Sequence, residues 1–127
     1  MSSPTTRIKI LHVDDEDDTL SVVKTILEHE GYEVISVKRG DEALKMIKMD
    51  GFDLLILDIM MPDMSGWELF SRISTINPEH KVIFLSILDI SVENLAELKS
   101  SGVRDYITKP FDRQDFLDRV NLALKTQ

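Results

Sequence analysis

The chain has 127 residues, 43% hydrophobic and 30% charged, with 15 basic and 23 acidic residues and a net charge of -8. That size suits one domain burying roughly two thirds of the surface its unfolded form exposes, and a charge this negative argues against direct binding to a nucleic-acid backbone, which needs a basic face. Disulfide scaffolds, thiolate metal sites and cysteine nucleophiles are excluded because there is no cysteine; Met1 to Thr6 lacks the apolar stretch of a secretory signal and no membrane-length apolar run occurs, so a cytoplasmic protein is expected.

Ile8 to Val13 reads as a strand and delivers Asp14 and Asp15. Leu20, Val23, Ile26 and Leu27 then recur at helical spacing, and Glu30-Gly31 stops that helix with a glycine cap. Glu16, Asp17 and Asp18 fall in its first turn, where acids complement the helix dipole by about 0.3 to 1 kcal/mol each, and are expected to form a solvated cap. His12 has no second histidine at ligand spacing and is expected to be a core residue with satisfied ring nitrogens. A second strand, Glu33 to Val37, leads into a helix from about Asp41 to Met49, with Ala43, Leu44 and Ile47 inward and Asp50-Gly51 at its end.

Asp53 to Leu57 is short, almost wholly apolar and closed by turn residues, so it reads as a strand covered on both faces, as in parallel sheets. A carboxylate, Asp58, sits directly at its carboxyl end. Ser65-Gly-Trp-Glu68 fits a capping box and opens a third helix, with Leu69, Phe70 and Ile73 inward and Asn77-Pro78 as its stop. Trp67 is expected to pack over its neighbours, and Met60, Met61 and Met64 to fill gaps around the loop. Lys81 to Leu85 is the fourth strand, followed by Ser86; a helix from roughly Ser91 to Ser100 carries Leu95 and Leu98, with Gly102 just beyond. Val103 to Ile107, the fifth strand, leads to Lys109-Pro110, and a closing helix begins near Asp112 with Phe116, Leu117, Val120 and Leu124 inward.

Strands alternating with helices over short connections imply an α/β fold: a doubly wound parallel sheet with right-handed crossovers. In the flavodoxin-like order 2-1-3-4-5, the switch point lies between the first and third strands, where such sheets bind ligands. Asp14, Asp15 and Asp58 leave those two strands, and Lys109 and Ser86 reach the same edge. Like charges about 4 Å apart repel by about 4 kcal/mol at an effective dielectric of 20, so three ionised aspartates need protons or a cation. An oxygen-only set with room for water and a phosphoryl oxygen suits Mg2+ better than a caging Ca2+ site. An EF-hand fails because Thr19 and Thr25 stand where its turn glycine and bidentate glutamate belong. Asp58, on the central strand, is the carboxylate best placed to accept a phosphoryl group as an acyl phosphate, with Lys109 and the Ser86 hydroxyl to neutralise it.

Val13-Asp-Asp15, Leu57-Asp58 followed by Met61-Pro62 and Gly66, Ser86 after the fourth strand, and Tyr106-Ile-Thr-Lys109-Pro110-Phe111 together resemble the receiver domain of two-component response regulators. The resemblance runs from Ile8 to about Leu124, and implies a single receiver domain over residues 1 to 127 with its core from about residue 7 to 125. It implies that Asp58 accepts the phosphoryl group from a sensor histidine kinase or a histidine phosphotransfer protein. It also implies that Asp15 and Asp58 bind Mg2+ directly, that Asp14 does so mostly through water, and that the Met60 backbone carbonyl adds a ligand. Lys109 is expected to contact the phosphoryl group, Ser86 to swing toward it, Tyr106 to turn inward as a switch, and the Lys109-Pro110 bond to be cis. The output is expected to be a changed face of the fourth helix, fifth strand and fifth helix that meets a downstream protein partner. Such a chain is not an enzyme beyond Mg2+-dependent phosphotransfer to itself and slow autodephosphorylation.

Ile87 departs from the small residue that receivers carry after the Ser86 position, and Leu88 from a frequent polar one; their bulk is expected to slow phosphorylation or loss of the phosphoryl group. Asp105 and Arg119 match the pair used by dimerising winged-helix regulators, so the chain is a monomer or a phosphorylation-dependent dimer, or the pair is an ordinary surface one. It stands alone, as an effector or a relay, or is a receiver excised from a longer regulator. A haloacid dehalogenase-type phosphatase needs an acid where Met60 stands, and a flavodoxin-like FMN carrier needs a Ser/Thr/Gly-rich loop where this chain has five acids. A pseudo-receiver that binds partners without phosphorylation is disfavoured by the complete acid set.

Overall fold

Every side chain from Leu54 to Leu57 is fully buried, which only a central strand with helices on both faces allows. The computed structural model describes residues 7–126, so the reading of Met1 to Thr6 lies outside the described residues. In chain order the elements are β1 (Lys9–Val13), α1 (Asp17–His29), β2 (Glu33–Val37), α2 (Gly40–Met49), β3 (Leu54–Leu57), α3 (Gly66–Ile76), β4 (Val82–Ser86), α4 (Val92–Ser100), β5 (Val103–Thr108) and α5 (Arg113–Lys125). The five strands pair in parallel in the order β2-β1-β3-β4-β5, the expected flavodoxin-like sheet.

Alternation along the strands splits the core into two layers. Leu11, Val13, Leu55, Leu57, Val82 and Phe84 meet Ala43 and Ile47 of α2 and Leu69 and Ile73 of α3 on one face. Ile10, Leu54, Ile56, Ile83 and Leu85 meet Val23, Ile26 and Leu27 of α1 and Phe116, Leu117 and Val120 of α5 on the other. Burying one such aliphatic side chain is worth about 1.5 to 3 kcal/mol. The sheet is therefore the most strongly held part of the molecule, and its carboxyl edge is a rigid platform.

The helix ends follow local chemistry. Ser65, Ser91 and Asp112 each accept, through a side-chain oxygen, the backbone N–H three residues on. Gly31 takes φ of 93° just past α1, the left-handed conformation in which glycine carries no Cβ penalty. β3 starts at Leu54 rather than Asp53, and the Asp53 carboxylate accepts the Lys9 N–H at 2.8 Å. α2 opens without a side-chain cap of its own. Its Gly40 and Asp41 N–H groups instead donate, at 3.0 Å each, to the two carboxylate oxygens of Asp63 on the β3–α3 loop.

Candidate functional site

The register of the sheet continues one residue past the strand ends and so fixes the site. Asp58 N–H donates to the Val13 carbonyl at 2.9 Å, which sets Asp58 beside Asp14, and Lys109 N–H donates to the Ser86 carbonyl at 2.8 Å. Gly66 completes the frame: a Cβ there would stand 2.3 Å from the Asp58 carbonyl oxygen, so only glycine lets α3 begin this close to the Asp58 backbone. The Lys109–Pro110 bond is cis.

Asp14 is fully buried and Asp58 is 4% exposed. Lys109 Nζ lies 2.9 Å from Asp14 Oδ2, 3.0 Å from Glu16 Oε1 and 3.8 Å from Asp58 Oδ2. Carboxylate oxygens of Asp14, Glu16 and Asp58 come within 4.8 Å of one another. Three acids face one ammonium. Burial, then the charge of Asp14, pushes the Asp58 carboxyl up to about 6, although Lys109 and the Met60 and Ile59 N–H groups pull the other way. Burial works against the charged form of Lys109, but the Asp14 and Glu16 carboxylates outweigh it and hold its pKa above the usual lysine value. An oxygen-only, under-neutralised set of this kind, with two of its three acids buried, fits a hard divalent cation such as Mg2+.

Of the residues singled out in the sequence, Asp14, Asp58 and Lys109 converge directly. Asp15 is exposed, stands outside the tight carboxylate trio, and shares an open hollow with Met60 and the rest of the loop after Asp58. Met60 follows Asp58 by two residues, and its N–H lies 3.4 Å from Asp58 Oδ1. Its side chain is 53% exposed, unlike Met61 and Met64, which pack on the core as gap-fillers do. Ser86 is buried and its Oγ accepts the Leu88 N–H at 3.3 Å. Tyr106 points inward, and its hydroxyl donates to the Leu88 carbonyl at 2.6 Å. One backbone residue thus joins the Ser86 and Tyr106 side chains.

Two expectations need correction. Glu16 is not merely a solvated cap, because its ion pair with Lys109 draws it into the acidic cluster, while Asp17 and Asp18 stay exposed in the first turn. His12 is buried but not satisfied: neither ring nitrogen has a hydrogen-bond partner, and Nε2 stands 3.8 Å from Asp14 Oδ2. Burial, followed by the Lys109 charge, lowers its pKa to about 3, so the ring is neutral. Asp63 carries no signal of its role in the sequence, since nothing local announces a cap that reaches 22 and 23 residues back. Trp67 does pack over its neighbours, with its ring centroid 4.7 Å from that of Phe84. Arg119 bonds within its own chain, to Asp105 at 3.1 Å and Asp115 at 3.0 Å.

Comparison with known proteins agrees with this geometry. Residues 10–121 match the family described as response regulator receiver domain. The response regulator SaeR of Staphylococcus epidermidis is 36% identical over 115 residues, covering 91% of this chain and 49% of that protein. The chain spans about half the length of the curated relatives it matches. A CheY-like receiver domain protein from Methanospirillum hungatei superposes with a TM-score of 0.84 at 35% identity, covering 94% of both chains. TrrA of Thermotoga maritima, a response regulator solved in complex with Mg2+ and BeF, superposes at 0.79 with 33% identity, covering 91% of this chain and 98% of that one. With a family match that begins in β1 and ends in α5, the chain belongs to the receiver domains of two-component response regulators.

Proposed function

We propose that this receiver takes a phosphoryl group onto Asp58 from the phosphohistidine of a sensor histidine kinase or a histidine phosphotransfer protein. The observation that carries the reading is the Asp58 carboxyl itself, nearly buried at the end of the central strand, beside a second buried acid and 3.8 Å from an ammonium. In the transfer, an Asp58 carboxylate oxygen bonds to phosphorus as the N–P bond of the donor breaks, and the departing imidazole takes up a proton. Lys109 follows the charge from the carboxylates to the phosphoryl oxygens, and the Ser86 hydroxyl donates to one of them. Mg2+, when bound, neutralises the acid cluster and the incoming phosphoryl charge; Asp14, Asp15, Asp58 and the Met60 carbonyl would hold it, with Glu16 beside them. The Mg2+–BeF complex of TrrA supports this assignment by similarity.

The bond from Tyr106 to the Leu88 carbonyl supports a switch role for Tyr106, because a shift of Ser86 must move the segment on which both side chains rest. The switched face is α4, β5 and α5, where a downstream protein partner docks. Receiver domains are signalling modules rather than enzymes in the usual sense; slow autodephosphorylation is the one turnover expected of this chain. It has no cysteine, and among the described residues no helix is long and apolar enough to cross a membrane. Both facts suit a cytoplasmic module of about residues 7 to 125, working alone or as the receiver of a longer regulator.

Mass spectrometry of the intact chain after treatment with acetyl phosphate and Mg2+ tests the assignment. The parent gains one phosphoryl group, and Asp58→Asn gains none. A parent that stays unmodified, or an Asn variant labelled as fully as the parent, overturns the reading.

A further inference from the structure

His12 is the feature that the receiver reading leaves unexplained. Its ring is fully buried in β1, on the face that α1 and α5 cover, and neither nitrogen finds a partner. An apolar side chain would fill the same place without the cost of desolvating two polar atoms. Such a group makes physical sense if another state of the protein satisfies it. An acceptor stands just beyond bonding range, Asp14 Oδ2 at 3.8 Å from Nε2, and here that oxygen already takes Lys109 Nζ at 2.9 Å. The other Asp14 oxygen is also in use, accepting the Glu16 N–H at 2.9 Å. On the far side, Ser36 is the Cα partner of His12 across the β1–β2 ladder, and its buried Oγ is likewise without a partner.

We infer that His12 is a positioning residue that takes over Asp14 when Lys109 leaves it for a phosphoryl group on Asp58. The inference rests on the receiver function proposed above. Lys109 Nζ already commits two of its three N–H donors to Asp14 and Glu16, so engaging more than one phosphoryl oxygen on Asp58 draws it off one of them. As it moves, Asp14 Oδ2 loses a donor inside a buried site, and a closure of less than about 1 Å brings His12 Nε2–H into hydrogen-bond range. Asp14 keeps its orientation, and the ring gains the partner it lacks. The handover requires the single proton of the neutral ring on Nε2, facing Asp14; the Ser36 hydroxyl, unpartnered here, turns to donate to Nδ1 in the same closure. His12 thereby favours the phosphoryl-loaded state without touching the phosphoryl group.

The test is long-range 1H–15N NMR of the three imidazoles in the 127-residue chain, with and without Mg2+ plus beryllofluoride as the phosphoryl mimic. His12 is assigned by its absence from the spectrum of His12→Val. The expected result is an Nε2–H tautomer in both states, with the Nε2 proton moving downfield and exchanging more slowly with water when beryllofluoride binds. An Nδ1–H tautomer, or an Nε2 proton that ignores beryllofluoride while the Met60 and Ser86 amides respond, overturns the role of His12 and leaves the receiver reading standing. Amides that do not respond at all overturn both. Substitution adds a readout that simple packing would not give. Losing a hydrogen bond to a charged group weakens beryllofluoride binding roughly ten-fold in His12→Val, while Mg2+ affinity without beryllofluoride stays near the parent's and the free protein becomes no less stable. His12→Gln, which keeps a donor of similar reach, restores part of the loss. Equal beryllofluoride affinity in the parent and the Val variant refutes the handover.

Discussion

Asp58 stands out in the site because its surroundings make ionisation costly. Its carboxyl titrates near 6 in the folded chain against 3.8 in an unfolded one, chiefly through burial and the neighbouring Asp14. The folded state therefore holds this proton more tightly than the unfolded state does. Its contribution to stability is complete below about pH 4, is lost as pH rises through about 6, and is absent above that. Denaturant unfolding in EDTA should accordingly find Asp58→Asn more stable than the parent at pH 7.5, by on the order of 2 kcal/mol, with the gap closing toward pH 4. A gap independent of pH would mean an ordinary carboxyl. Mg2+ at roughly 100 times its Kd stabilises a protein that binds it only when folded by about 2.7 kcal/mol; the parent should gain that and the Asn variant less. Ile87 makes a second residue-scale case. It is 63% exposed and lines a groove with Glu16, Val22, Lys109 and Phe111. Ile87→Ala should open the approach and raise the rate of labelling by acetyl phosphate several-fold; rates equal to the parent's would remove Ile87 as a gate.

Among the elements, α2 and the β3–α3 loop are bound to each other more closely than their separation in sequence suggests. Arg39, the N-cap of α2, offers no side-chain oxygen, so the first N–H groups of that helix depend on Asp63. Burial acts to raise the Asp63 carboxyl, but the Gly40 and Asp41 N–H groups outweigh it and hold its pKa below the usual value. Met64 packs against Gly40 so closely that a Cβ there would sit 2.6 Å from the Met64 side chain. Asp63→Ala should cost about 1 kcal/mol, the usual worth of an N-cap, and, with the Met60 carbonyl as the proposed Mg2+ ligand on the same loop, should weaken Mg2+ binding. Thermal unfolding and Mg2+ titration of the variant check both, and a variant with unchanged stability would show that water replaces the cap freely. This contact also marks where sequence reading stops. The strands, their order and the convergence of Asp14, Asp58 and Lys109 were legible, because an apolar run locates a strand end and the acid or lysine simply follows it. The places of Glu16, His12 and Asp63 were not, because each depends on a side chain brought over by the fold: Lys109 lies 93 residues from Glu16, and periodicity cannot say whether a buried ring finds a partner.

Across the whole molecule stability is unevenly spread, and the unevenness falls where signal output is expected. α1 and α5 each bury four side chains and α2 and α3 two each, but α4 buries none, resting on the sheet through the partly buried Leu95 and Leu98. Beneath it runs a cleft lined by Trp67, Leu88 and Tyr106, the last two being joined by the hydroxyl-to-carbonyl bond beside Ser86. With so little apolar area holding it, α4 should open locally, at a free energy well below that of global unfolding. Native-state hydrogen exchange should therefore show the amides of Leu95–Ser100 exchanging far faster than those in the middle of α1 and α5. Under the proposed switch, in which capture at Asp58 draws on Ser86 and so on the Leu88 segment that leads into α4, beryllofluoride with Mg2+ should slow that exchange selectively. α4 amides protected as well as those of α5 would mean that the helix is part of the rigid core. Protection that ignored beryllofluoride would break the link from Asp58 to this face, since a ligand shifts only an equilibrium whose two states it binds differently.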